Sequence, residues 1–256
     1  YGELISRSGC LGSALLGAAS AQKGDLAGMR VAFLVPRNFH WVWAQWGIWR
    51  AGGVAVPLCD EHPPRELAYA IEDCGAAMLV VHPDLTERLP EAVLQDSSGA
   101  GPGVVLTADL DPGAGGPLPI VAADRNAMIL YTSGSTGKPK GVVLTHAAIE
   151  AQVESLVEAW RWSAGDRILN VLPMHHIHGI VNILTCALWC GACCELLAPF
   201  DAGAAWRRFE AGGLTLFMAV PTVYSRLIDE WEEAAPECKA SWSAACRRFR
   251  LMVSGS

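Results

Sequence analysis

Residues 131–141 read YTSGSTGKPKG and follow an apolar run directly. They hold four hydroxyls (Thr132, Ser133, Ser135, Thr136), three glycines (Gly134, Gly137, Gly141) and two lysines (Lys138, Lys140). Glycine lets the backbone turn tightly and brings its N–H groups close to an anion. Hydroxyls add donors with little bulk, and lysines put positive charge within reach of a polyphosphate. The chemistry is that of a phosphate cradle. A flexible surface loop is the plain alternative, and the density of these residue types after a strand weighs against it. A Walker A loop needs four residues between its glycines and a Ser or Thr after its lysine. Here two residues separate Gly134 from Gly137, and Pro139 follows Lys138. The Mg²⁺-binding hydroxyl of that motif has no place, which disfavours an ordinary kinase or P-loop ATPase.

A second constellation is LPMHHIHG at 172–179, with three histidines in four positions and Cys190, Cys193 and Cys194 downstream. Zinc held by His and Cys is one reading. The cysteines sit among Leu, Trp and Ala with no polar groups nearby to orient ligands, so no metal set is assigned. A third is Arg226, with Asp229 and Glu230 at helical pairing distance, which leaves open an exposed ion pair.

These groups need elements to hold them, and the pattern of the chain alternates. Residues 31–35, 54–58 and 77–81 are β-rich apolar runs. Between the first two, Asn38 can cap a helix with Phe39, Val42, Trp46 and Trp49 on one face, closed by Gly52-Gly53. Pro63-Pro64 can open a second helix that buries Leu67, Ala70 and Ile71 and ends at Gly75. Residues 97–119 are rich in Gly and Pro and predict a loose connection between lobes of about 1–119 and 120–256. Strands are then predicted at 127–131, 167–172, 193–197, 214–220 and 249–253, with helices near 147–160, 179–189 and 223–231. Such alternation implies an α/β protein with mainly parallel sheets flanked by helices. In such sheets ligands lie beyond the carboxyl ends of the strands, so the loops after Tyr131, Leu172, Val220 and Val253 are where chemistry is expected.

Bulk properties narrow the field. The 256 residues are 52 % apolar and 18 % charged, a folded composition. Nineteen Lys and Arg against 26 Asp and Glu give −7, which argues against nucleic acid or an anionic membrane as the main partner. Nine cysteines, an odd count placed mostly in apolar stretches, read as reduced thiols of an intracellular protein. The longest uncharged stretch, 168–194, contains Pro173, three histidines and two asparagines. A buried strand–turn–helix fits it better than a transmembrane helix. The first residue is Tyr1 and no secretory signal is visible, so the N-terminus reads as cut, with any targeting peptide lost and the compartment undecided.

YTSGSTGKPKGVVLTH closely resembles the signature loop of the adenylate-forming (AMP-binding) superfamily, which includes acyl-CoA synthetases, luciferases and peptide-synthetase adenylation domains. LPMHHIHGIVNILTCALWCGACCELL, FMAVPTVYSRLIDEW and RLMVSGS are most similar, within that superfamily, to the malonyl-CoA synthetases. The resemblance implies an N-terminal AMP-binding (adenylation) domain over 1–256, incomplete at its C-terminal end. It implies a ligase that uses ATP and Mg²⁺ to convert malonate or a related carboxylate to acyl-AMP and then transfers it to coenzyme A. Residues 132–140 (Thr132, Ser133, Gly134, Ser135, Thr136, Gly137, Lys138, Pro139 and Lys140) would hold the phosphates. His176 falls where the family has a histidine at the acyl-pocket entrance. Arg226 falls where a planar cation can grip the carboxylate of a diacid that does not react. Ser254 is a further candidate for substrate binding. A medium-chain or aryl acid, or a non-catalytic nucleotide-binding remnant, are the alternatives. Family segments that bind adenine and ribose, and the catalytic lysine of a small C-terminal domain, have no match here, so the 256-residue chain is expected to show little or no ligase activity alone.

Overall fold

A computed structural model describes residues 1–19, 24–94, 101–110, 116–132 and 137–255. They form two compact units, Tyr1–Ile149 and Glu150–Ser256. The division along the chain therefore falls well past the Gly- and Pro-rich stretch.

The first unit runs α1 (Gly2–Ala18), β1 (Arg30–Leu34), α2 (Phe39–Arg50), β2 (Val54–Pro57), α3 (Pro64–Asp73), β3 (Met78–Val81) and α4 (Glu91–Leu94). It continues with β4 (Gly103–Leu106), β5 (Asn126–Thr132) and β6 (Lys140–Thr145), and α5 (His146–Trp160) follows. The sheet has the order β4-β3-β1-β2-β5-β6, parallel except for the antiparallel pair β5–β6. Strands covered on both faces must be apolar throughout, and β2 and β3 are buried at every position. On one face α3 lays Leu67, Ala70 and Ile71 against Ala32 and Leu34, Val56 and Leu58, and Leu79 and Val81. Those strand residues alternate because side chains two apart share a face.

Asn38 caps α2 as expected, its Oδ1 accepting from the His40 backbone N–H at 2.8 Å. The predicted face of that helix is corrected, however. Phe39 is 40 % exposed while Trp41, Val42, Trp43, Ala44, Gln45 and Ile48 are buried, so α2 is enclosed over most of its circumference and no single stripe describes it. Trp49 instead donates from Nε1 to the Ala127 carbonyl at 2.7 Å, tying α2 to β5. Part of the stretch expected to be a loose connection is also strand: β4 pairs with β3 over Gly103–Leu106.

The second unit contains β7 (Arg167–Asn170), a π-helix over His178–Thr185 that runs into α6 (Cys186–Trp189), and β8 (Cys193–Leu196). It then has α7 (Ala202–Glu210), β9 (Leu216–Ala219), α8 (Pro221–Glu233), α9 (Pro236–Cys246) and β10 (Leu251–Ser254). Its sheet is wholly parallel, in the order β10-β9-β7-β8. The helix expected near 179–189 is thus π-helical for most of its length. All nine cysteines are free, and burial pushes the Cys186 thiol up to about 12. No helix is long and apolar enough to cross a membrane among the described residues.

Candidate functional site

In the first unit the described candidates Thr132 and Lys140 close the β5–β6 ladder, with Thr132 opposite Lys140 and Tyr131 opposite Gly141. Thr132 Oγ1 lies 3.4 Å from the Lys140 carbonyl as a donor. Ser133, Gly134, Ser135 and Thr136 lie outside the described residues. Gly137 has φ +101°, a conformation L side chains avoid. Gly141 has a different reason to be glycine: a Cβ there would stand 2.9 Å from Ile129 Cγ2. Lys138 and Lys140 are exposed, so their charges are available to a ligand.

The returning arm of this hairpin is tied to α3. The Tyr69 hydroxyl lies 3.1 Å from the Pro139 carbonyl and 3.2 Å from Asp73 Oδ1, a shared donation. Tyr131 donates to the other oxygen of Asp73 at 2.7 Å. Burial, then the bond to Asp73, push the Tyr131 hydroxyl pKa far up, so it stays a protonated donor. Lys138 Nζ is 5.4 Å from the centre of the Tyr69 ring. None of these α3 contacts is evident in the motif.

In the second unit the sheet order creates a topological switch point. From β7 the chain passes to β8 on one side, whereas β9 lies on the other side and leads out to β10. The loops leaving the carboxyl ends of β7 and β9 therefore diverge, and the crevice between such loops is where open α/β sheets bind ligands. His176 is on the first of these loops and Arg226 on α8 after the second, while Ser254 is the last residue of β10. The fold thus brings all three to the same end of three adjacent strands. Each is exposed.

The β7 loop is held by a side chain that the sequence reading passed over. Asn170 is 1 % exposed. Its Nδ2 donates to the Gly179 carbonyl at 3.0 Å and its Oδ1 accepts from the Leu172 N–H at 3.0 Å. A Cβ on Gly179 would meet the Pro173 carbonyl at 2.8 Å, so only glycine lets the π-helix start so close to the loop. His175 and His176 rings lie 4.2 Å apart at the apex. His178 turns inward, and burial lowers its pKa, keeping it neutral. Asn170 closes the strand RILN as a polar residue in an apolar run, the one signal that could have marked it.

Arg226 does not take up the ion pair open to it in sequence: among the described residues it is paired with neither Asp229 nor Glu230. Its guanidinium lies over the Phe200 ring, 4.7 Å from the centre. Stacking of that kind fixes the plane while leaving the N–H fork free for a carboxylate. Tyr224, two residues before it, donates to the Val253 carbonyl at 2.9 Å and so joins α8 to the strand that ends at Ser254.

The family model described as "AMP-binding enzyme" matches residues 1–256. A mitochondrial malonate–CoA ligase of Mus musculus is 43 % identical over 268 residues, covering 100 % of this chain and 46 % of the relative. A malonate–CoA ligase of Arabidopsis thaliana is 35 % identical, covering 91 % of this chain and 41 % of its own length. Among solved structures, ATP-bound MatB from Rhodopseudomonas palustris superposes with a TM-score of 0.79 at 27 % identity, over 100 % of this chain and 49 % of that one. A malonyl-CoA ligase holding methylmalonyl-CoA and AMP gives 0.77 at 28 % identity, over 99 % and 49 %. The chain spans about half the length of the curated relatives it matches.

Proposed function

This chain belongs to the AMP-binding enzyme family, and on that premise we propose that it is the phosphate- and acid-binding part of an ATP-dependent malonate–CoA ligase. The reaction activates malonate, or a related carboxylate, as acyl-AMP and then passes the acyl group to coenzyme A. A carboxylate oxygen attacks the α-phosphorus of ATP, the P–O bond to pyrophosphate breaks, and the thiol later displaces AMP from the acyl carbon. Such chemistry needs positioning and charge neutralisation more than covalent help.

The hairpin tip from Thr132 to Lys140 supplies these to the triphosphate, with N–H groups and hydroxyls as donors and Lys138 and Lys140 as charges. Mg²⁺ accompanies the phosphates, since that ion prefers phosphate oxygens and water to an all-protein cage. His176, at the apex of the β7 loop, orients the reacting carboxylate and covers the adenylate. Ser254 lines the acid side from the end of β10.

One observation carries the choice of acid. Arg226 is an exposed guanidinium beside the switch point, stacked on Phe200 and engaged by no carboxylate among the described residues. A diacid brings the missing partner. The malonate–CoA ligases among the relatives support the same choice.

The test is kinetic, on an enzyme extended to the length of those relatives. Arg226→Ala is expected to raise KM for malonate about 30-fold or more, the worth of a lost charge-assisted pair. KM for ATP should stay within about twofold, because ATP meets other residues. Equal rises in both constants would remove Arg226 from the acid pocket.

A further inference from the structure

We propose that Tyr69 is a positioning residue for the phosphate-binding hairpin: its hydroxyl pins the returning arm, and its ring gives Lys138 a resting place beside the loop. The purpose of this device rests on the nucleotide reading above; the device itself rests on geometry.

The core does not account for Tyr69. Helix α3 buries Leu67, Ala70 and Ile71 against the sheet, and Tyr69 stands beside that face, partly exposed. Its hydroxyl reaches a carbonyl 70 residues away in sequence, that of Pro139. This carbonyl is the first group beyond the hairpin ladder, whose last pair is Thr132 with Lys140. Proline carries no N–H and cannot extend a ladder. The Tyr69 bond therefore does for the arm what a further rung would have done.

Asp73 shares the proton of that hydroxyl with Pro139. It lies one helical turn after Tyr69, with one carboxylate oxygen toward Tyr69 at 3.2 Å and the other taking the Tyr131 proton at 2.7 Å. The two rings meet edge to face at 6.3 Å. The phenols at positions 69 and 131 thus clasp one carboxylate, and the strand that enters the loop and the arm that leaves it are both referred to α3.

Lys138 immediately precedes the pinned residue. At 5.4 Å from the ring centre its ammonium is within cation–π range. Such a contact at a wet site is worth a factor of about two to five in population. It restricts a long side chain yet yields to a triphosphate. A lysine held near its target loses less freedom on binding, which favours the complex.

The experiment uses the 256-residue chain and two variants, Tyr69→Phe and Tyr69→Leu. Phenylalanine keeps the ring and removes the hydroxyl; leucine removes both. Tryptic cleavage after Lys140 reports opening of the arm, and cleavage after Arg88 reports opening elsewhere in the same unit. Tyr69→Phe is expected to speed cleavage at Lys140 about fivefold, the loss of one hydrogen bond, with Arg88 unchanged. Affinity for MgATP, read by displacement of a fluorescent ATP analogue from the same variants extended to the length of the relatives, should fall in Tyr69→Phe and fall further in Tyr69→Leu. Unchanged cleavage at Lys140, or equal acceleration at Arg88, overturns the pinning, and wild-type MgATP affinity in Tyr69→Leu overturns its service to the phosphate-binding hairpin. Should the leucine variant fail to fold, the phenylalanine variant decides alone. Absence of MgATP binding by the wild-type enzyme extended to the length of its relatives would refute the nucleotide reading, and the cleavage ratio would still decide whether Tyr69 holds the arm.

Discussion

The two ends of the second sheet carry similar residue types put to opposite uses. At the amino end, Asp166 precedes β7 and is 3 % exposed. It accepts from the Ser163 N–H at 2.8 Å, from Thr215 Oγ1 at 2.7 Å and from Arg250 Nη2 at 2.9 Å. Glu195, within β8, takes Arg208 at 2.5 Å and Arg167, the first residue of β7, at 2.8 Å. Both carboxylates are answered by arginines of the chain itself. At the carboxyl end Arg226 stacks on Phe200 and has no acidic partner among the described residues. An arginine already satisfied by its own chain holds the fold together, whereas one left without an acidic partner is the kind we propose for a ligand. Fold position separates the two where composition cannot.

The largest expected effect would break the amino end. Asp166→Ala strands the Ser163 N–H, the Thr215 hydroxyl and the Arg250 guanidinium together. We expect a loss of about 2–4 kcal/mol, moderated because Arg250 is partly in water, as a drop in the denaturation midpoint. A change below about 0.5 kcal/mol would mean that this network is ornamental.

A smaller effect follows from acid. Burial alone would raise the Asp166 pKa, but bonds from Arg250, Thr215 and Ser163 outweigh it and leave it lowered. Glu195 is lowered too, first by Arg208, against burial. A carboxyl whose folded pKa is depressed contributes its full stability above the unfolded value near 4, and that contribution is lost as pH falls through the folded value. Stability should therefore be level near neutrality and decline below about pH 4–5, and Asp166→Asn should flatten that decline. An equal slope in the variant would place the acid sensitivity elsewhere.

The smallest effect sharpens the contrast. Arg226→Ala should move the denaturation midpoint by no more than about 0.5 kcal/mol, since it removes a stacked surface residue with no ion pair. A loss comparable to that of Asp166→Ala would show Arg226 to be structural after all.

Much of this architecture is legible in the residues. The alternation of apolar runs with capped helices gives β1, β2, β3 and the α3 face, because buried parallel strands and amphipathic helices write distinct periods. Strand β4 hides in a Gly- and Pro-rich stretch and is short, exposed at its first two positions and half-buried at the others, so its period is faint. Strand β6 is exposed at most positions, including Val142 and Val143, and reads as an extension of the glycine-rich loop. The phosphate-type loop stands out in the sequence because the chemistry expected of it lies in consecutive residues. Asn170 and Tyr69 were not, because what matters about each is a partner on another element, fixed only once the chain is folded.

The hairpin itself has one further consequence. Every parallel neighbour in these sheets is reached by a long crossover, but β6 returns beside β5 directly, as only an antiparallel pair can. A change in length or shape at such a tip is absorbed locally, for doubling a loop costs only about 0.6 kcal/mol of closure entropy. Descendants of this gene can therefore differ in the number of residues joining β5 to β6 without shifting one helix or breaking one parallel rung.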